Sequence, residues 1–165
     1  MTDFYGTAAG FQTYHTARGR DVSTHATDDV NVALLVASEW LDGSFGYRWP
    51  GYKVGDRAQQ TRDWPRSWVQ DREGYPVSAD FVPTEIENAT YEAALRHLQD
   101  ETVLQADYTP NRYKRVSIEG SVSAEYLSLS AEQVQKQFPI IGQILAPLLE
   151  GNGGVSSISS GIVRA

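Results

Sequence analysis

The sequence predicts a mainly α-helical fold: a small bundle of three to four helices with a long, aromatic-rich ordered loop, one β-hairpin and an extended C-terminal tail. Apolar residues recur at helical spacing in three separate stretches, whereas strict alternation occurs in one. Three of the four tryptophans fall between the first two helical stretches. With 165 residues, 41% of them apolar, the chain can bury one core, so residues 1–150 are predicted to form one domain and residues 151–165 a docking tail.

The N-terminal region predicts an irregular segment followed by a helix. The first twenty residues contain three glycines and no helical stripe, so we expect an extended arm or short irregular lead-in. Apolar residues then recur every three or four positions from Val30 to Leu41. Asp28 and Asp29 precede this run, where the helix dipole favours anions, and Gly43 follows it as a stop. The first helix is therefore predicted at about residues 28–42.

Residues 44–76 show no sustained period of either kind. A loop of about thirty residues without structure is unusual inside a compact domain. This one is rich in large aromatic rings, which bury much apolar area when they pack. We therefore expect an ordered loop held in place by its aromatic residues.

A second helix is predicted at about residues 83–101. Pro83 suits the first helical position, and Glu85 and Glu87 suit the positive end of the helix. Two adjacent apolar faces follow, so this helix is expected to be central and contacted on two sides. His97 is expected to be a polar residue at the edge of the core.

The C-terminal part predicts a hairpin and further helix. Residues 116–126 alternate apolar and polar side chains, with a two-residue turn predicted at Gly120 and Ser121. Ser130 begins a capping-box pattern and a third helical stretch. Pro139 interrupts and restarts this stretch, and the apolar stripe that follows ends at Gly151.

The composition and motifs favour a non-enzymatic protein without cofactor or metal. The chain has no cysteine, and its three histidines are not at metal-ligand spacing. No phosphate-binding, dinucleotide-binding or nucleophile motif occurs. No apolar run approaches the roughly 20 residues of a membrane span, and the N-terminus carries no secretion signal, so we expect a soluble protein that is made where it works and has no membrane partner. The net charge of -7 argues against duplex binding by the whole surface.

The loop nevertheless combines basic and aromatic residues. Its tryptophans are interleaved with six basic residues: Arg48, Lys53, Arg57, Arg62, Arg66 and Arg72. Single-strand binders use this composition, since arginine contacts phosphates and aromatic faces stack on bases. Protein interfaces use it as well, because Trp, Tyr and Arg dominate their binding energy. The rings could also simply pack the loop onto the helices, and all three interpretations remain open.

The last fifteen residues contain mostly glycine and serine. Such a segment cannot bury enough apolar surface alone to offset the entropy of ordering it. We therefore expect it to become ordered on another chain. Its spaced apolar residues would be the anchors: Val155, Ile158, Ile162 and Val163.

The order of these segments resembles a family of small tailed-bacteriophage proteins, often labelled DnaT-like single-stranded-DNA-binding, whose members look like head-tail connector adaptors. The resemblance covers about residues 5–151. Its strongest marks are short blocks rather than catalytic motifs: Trp64, Pro65 and Arg66; Asp71, Arg72, Gly74 and Tyr75; Val82 and Pro83; and residues 145–149.

The resemblance implies a structural virion protein that is assembled in the host cytoplasm. Such adaptors form a ring, typically of twelve copies, beneath the portal protein, and present a surface to a downstream tail, stopper or nozzle protein. DNA passes through the lumen without specific binding, and the C-terminal tail docks on the portal. A single-stranded-DNA-binding module is the alternative.

Ring contacts of this kind join two different patches, so the basic loop is expected to meet an acidic patch on the next copy. The candidates for that acidic patch are Asp28, Asp29, Asp42, Glu85 and Glu87. The candidates for subunit contact or loop packing are Trp49, Trp64, Pro65, Arg66, Trp68, Arg72 and Tyr75. Net negative charge on the lumen would let DNA slide past.

Overall fold

The structure is a computed structural model that describes residues 3–56, 59–101, 103–104, 113–117, 123–126 and 138–149. Within these ranges the chain forms four α-helices and two short pairs of antiparallel strands. The helices are α1 (Ala8–Thr16), α2 (Thr27–Phe45), α3 (Thr84–Gln99) and α4 (Pro139–Leu145). The strands are β1 (Tyr52–Lys53) with β2 (Arg66–Ser67), and β3 (Tyr113–Ser117) with β4 (Ser123–Tyr126). The predicted mainly helical fold with a hairpin is confirmed; the β1–β2 pair was not predicted.

Helix α3 lies at the centre and packs against α1, α2 and α4. Its two predicted apolar faces are buried, and several of its core positions are alanines, which let α2 approach closely. The facing residues of α2 are fully buried, as the periodicity predicted: Val30, Ala33, Leu34, Ala37 and Leu41. His97 is half-buried at the edge of this core, as expected.

Helix α2 does not stop at Gly43, as the sequence predicted, but continues to Phe45 and into a 3-10 turn at Gly46–Arg48. Glycine inside a helix costs about 1 kcal/mol relative to alanine. The ring of Phe45 offsets this cost, since its centroid lies 6.0 Å from those of both Trp40 and Trp49. Aromatic packing beyond the glycine therefore sets the end of the helix.

The prediction of an irregular N-terminal segment is wrong, because residues 8–16 form α1. The Thr7 side chain caps this helix by accepting a hydrogen bond from the Gly10 backbone N–H, at 3.0 Å. Gly10 lies against the Tyr91 hydroxyl, and a Cβ atom at this position would collide with it. Gly10, which in the sequence indicated no helix, therefore allows α1 to pack on α3. The next residue, Phe11, is fully buried.

The ends of the remaining helices differ from the predicted ones. Pro83 is the residue before α3 rather than its first helical residue. Helix α4 begins at Pro139 as predicted but ends at Leu145, before Gly151, and the buried Leu148 follows in a turn. The predicted turn at residues 120–121, the helical stretch from Ser130 and the tail 151–165 lie outside the described residues.

Candidate interaction surface

Residues 46–76, which follow α2 on the way to α3, are here called the aromatic loop, and the rings of this loop hold it on the core. Trp64 and Trp49 are 2% and 6% exposed, and their ring centroids lie 5.7 Å apart at an interplanar angle of 80°. This edge-to-face contact continues the ring cluster at the end of α2. The expectation of an ordered loop packed through its aromatics is therefore confirmed for these two tryptophans.

Asp42, on α2, joins the loop to the N-terminal segment. The Tyr5 hydroxyl donates to Asp42 Oδ1 at 2.6 Å and accepts a hydrogen bond from the Trp64 backbone N–H at 3.1 Å. The Asp63 backbone N–H donates to Asp42 Oδ2. Burial disfavours the charged form and raises the pKa of Asp42 to about 6, and burial also raises the pKa of Tyr5.

Arg66 is used inside the loop. Its Nε donates to the carbonyl of Pro50 and one Nη to the carbonyl of Gly51, both at 2.7 Å. Pro65 before it is half-buried and follows a cis peptide bond. The guanidinium thus joins the chain near β1 to the chain at β2, so Arg66 is a packing residue of the loop.

Two further basic residues are paired within the chain. Arg62 donates to the carbonyl of Asp3 at 2.6 Å and to the carboxylate of Glu39 at 3.2 Å. Lys53 forms an ion pair with Asp63 at 2.9 Å. Of the basic residues interleaved with the tryptophans, Lys53 and Arg62 are thus paired with carboxylates and Arg66 with backbone carbonyls, whereas Arg72 is exposed and Arg57 lies outside the described residues.

Three residues in or next to the β1–β2 pair are exposed to solvent instead. Trp68 is 87% exposed, and Tyr52 and Val54 are 73% and 53% exposed. We call these three residues the exposed rim. Trp68 has φ 61°, which is uncommon for a bulky side chain, so the surrounding chain imposes this conformation. Gly51 contributes to it: with φ 66°, it lies so close to the Ser67 carbonyl that a Cβ atom would collide.

The block around Asp71 builds a turn rather than a charged contact. Asp71 Oδ1 accepts hydrogen bonds from the backbone N–H groups of Glu73 at 2.9 Å and Tyr75 at 2.8 Å. The Arg72 backbone N–H donates to the carbonyl of Pro147, which ties this turn to the segment after α4. The side chains of Arg72 and Tyr75 remain exposed.

The sequence did not reveal a second polar cluster, centred on Glu92 of α3. Glu92 is 1% exposed and forms ion pairs with Arg20 and Arg96, each at 2.8 Å. The sequence did contain a sign of this cluster, because a glutamate stands beside Ala93 on the apolar side of the helix. The Tyr14 hydroxyl also donates to it.

The candidates for the acidic partner patch differ in their exposure. Asp42 is unavailable to another copy, because its carboxylate is used inside the fold. Asp28 and Asp29 are exposed at the start of α2, whereas Glu85 and Glu87 are half-buried. In the part of the chain that is described, no group of side chains could hold a metal ion, and no helix is long and apolar enough to cross a membrane.

Comparison with known proteins gives one family. No curated protein and no solved structure matches the chain. A family model described as "Putative DnaT-like ssDNA binding protein" matches residues 2–165, which is nearly the whole chain. The chain therefore belongs to this DnaT-like family.

Proposed function

We propose that the protein is a structural subunit of a bacteriophage head-tail connector, an adaptor that forms a ring beneath the portal and joins head to tail. The observation that carries this proposal is Trp68, whose ring is exposed and held at positive φ on a loop whose other two tryptophans are buried. Exposed tryptophan on a rigid support is typical of the centre of a protein interface. The resemblance of the sequence blocks to connector adaptors supplies the virion context.

The burial and pairing of the other loop residues favour a protein contact over the binding of single-stranded DNA. A single-strand groove needs several exposed rings and several free cations along one path. Here Trp49 and Trp64 are buried, and Arg62 and Lys53 are paired with carboxylates of the same chain. Tyr47, Arg72 and Tyr75 are exposed besides the rim, so the loop presents several rings but few cations outside ion pairs, which suits a protein contact better than a path for a phosphate backbone.

The rest of the assembly follows as part of the same proposal. In a closed ring the exposed rim of one copy contacts a different surface of the next copy. Residues 152–165 dock on the portal through their spaced apolar side chains, by strand addition or groove filling. The excess of carboxylates in the chain faces the lumen, so that DNA passes without adhering.

Single-stranded-DNA binding is the second candidate, favoured by the description of the family. The exposed rings of Trp68 and Tyr52 would be its stacking platform, since stacking on an aromatic ring accepts any base. This function requires affinity that falls as salt rises, because phosphate contacts release counterions.

The molecular mass in solution tests the main proposal. We expect the purified protein, alone or mixed with the portal protein of the same virus, to form a closed ring by native mass measurement. Trp68→Ala should weaken ring formation by about thirtyfold or more, as expected for an interface hot spot. Phe81→Ala is the matched control, because Phe81 is also exposed but lies outside the rim. A protein that stays monomeric even with the portal would contradict the proposal.

A titration with labelled oligothymidylate at low and high salt separates the two candidates. The connector proposal predicts no saturable binding at either salt concentration. Tight, salt-sensitive binding that Trp68→Ala abolishes, together with a monomeric mass, would favour the second candidate instead.

A further inference from the structure

A cleft of about 280 Å³ opens beside the C-terminal half of α3. Its lining residues are Arg20, Glu92, Leu95, Arg96 and Gln99. The cleft shares no lining residue with the exposed rim. Two arginines, one amide and one apolar side chain therefore surround a nearly inaccessible carboxylate.

The cleft carries an excess of positive charge. Glu92 Oε1 accepts a hydrogen bond from Arg20 Nη1, and Oε2 accepts one from Arg96 Nη1, each at 2.8 Å. Burial opposes ionisation of Glu92, but the hydrogen bonds from Arg96 and Arg20 prevail and lower its pKa. One carboxylate thus neutralises only one of two guanidinium groups. Arg18, whose guanidinium lies 3.4 Å from the centroid of the Tyr14 ring, adds a further positive charge nearby.

Both guanidinium groups are held in position with donors to spare. Each uses Nη1 for Glu92, and among the described residues neither Nη2 nor Nε has a hydrogen-bond partner. Arg20 Nη1 also lies 3.3 Å from Nδ1 of His15, which can accept because its Nε2 faces the Tyr91 carbonyl. Guanidinium groups with remaining donors are the groups that bind the oxygens of a planar oxyanion best in proteins.

We propose that this cleft binds one carboxylate side chain from an acidic segment of a protein partner. The cleft has room for one such side chain, and Leu95 offers an apolar wall for its methylene carbons. Nucleic acid fits less well, because two arginines cannot follow a phosphate backbone. The inference stands whether or not the protein forms a ring.

Calorimetric titration of the full chain tests this site. The probes are a short blocked peptide of alternating Glu and Gly, the same peptide with Gln for Glu, and inorganic phosphate, all at constant ionic strength. We expect the Glu peptide to bind and the Gln peptide not to bind. Arg20→Gln should weaken binding about tenfold or more, because a charge-assisted hydrogen bond is lost. Arg20→Lys should also weaken it, since lysine keeps the charge but loses the planar fork.

Two further variants make the result specific to the cleft. Glu92→Gln should strengthen binding of the Glu peptide, since it removes the carboxylate that competes for the arginines; circular dichroism checks that this variant folds. Arg48→Gln changes the net charge as Arg20→Gln does, but Arg48 lies at the end of the 3-10 turn, so it should bind as the wild type does.

Three results would overturn the proposal. These are no binding of the Glu peptide, binding of phosphate without the peptide, and equal weakening by Arg48→Gln and Arg20→Gln. The second would identify a phosphate site and the third a general charge effect. If Glu92→Gln does not fold, the contrast between the Arg20 and Arg48 variants still decides the matter.

Discussion

The carboxyl group of Asp42 lies where three parts of the chain meet, so its ionisation should affect the stability of the whole loop attachment. It accepts hydrogen bonds from Tyr5 and from the backbone at Asp63, yet burial raises its pKa to about 6. An acid with a raised pKa binds its proton more tightly in the folded than in the unfolded chain. The folded protein should therefore gain stability from Asp42 as the pH falls through 6, and lose it as the pH rises.

The magnitude follows from the two pKa values. The ordinary value for this side chain is 3.8, and the value in the fold is about 6. That gap corresponds to about 3 kcal/mol between the pH limits where Asp42 is fully ionised and fully protonated. His15 acts in the opposite sense, because burial lowers its pKa and its protonation below pH 6.5 opposes folding. The prediction is therefore made for a difference between variants rather than for the wild type alone.

The measurement is urea unfolding, followed by tryptophan fluorescence, of the wild type and Asp42→Asn from about pH 7.5 to pH 4. Asparagine cannot ionise, so the unfolding free energy of the wild type relative to the variant should rise by about 2.5 kcal/mol as the pH falls to 4, with the rest of the roughly 3 kcal/mol appearing below that pH. Asp29→Asn, at the exposed start of α2, is the control and should show no such trend. A wild type that loses stability relative to Asp42→Asn over this range would refute the reasoning.

Four further substitutions test the packing of the loop and of α3 by the same unfolding assay. Trp64→Ala should lower the free energy of unfolding by about 3 to 5 kcal/mol, because it empties a buried site. Trp68→Ala should change this free energy by about 0.5 kcal/mol or less. Equal effects of the two substitutions would contradict the assigned burial. Gly51→Ala should destabilise by about 1 to 3 kcal/mol, since its φ of 66° and the Ser67 carbonyl leave no room for a methyl group; a neutral result would show that β1 and β2 do not approach as described. Glu92→Ala should lower the free energy of unfolding by about 2 kcal/mol, which is less than for a fully buried ion pair because the two arginines are partly exposed. An unchanged midpoint of urea unfolding would argue against the ion pairs.

The helices α2 and α3 could be predicted because their signals are local. A stripe such as Val30, Ala33 and Leu34 already shows which side of a helix avoids water. The end of α2 could not be predicted in this way. It depends on the ring of Phe45 finding Trp40 and Trp49, and only the folded chain brings these three together.

The aromatic loop shows more clearly which features the sequence predicts and which depend on the fold. The sequence marked Trp49, Trp64 and Trp68 as equivalent, and it could not say which would be buried. The structure buries the first two and exposes the third, because burial depends on what the rest of the fold places beside each ring. The site at Glu92 was missed for a related reason, since Arg20 lies far from it in sequence.

Composition and periodicity are enough to predict a mainly helical domain with a packed loop and acidic character, because neither depends on which distant residues meet. That Gly10 belongs to a helix depends on the fold, because the closeness of Tyr91 turns a weak helix former into the residue that fits. The tertiary structure also decided that Asp42 is an internal acceptor and that Trp68 faces solvent. Those outcomes depend on contacts between distant parts of the chain, which no local pattern records.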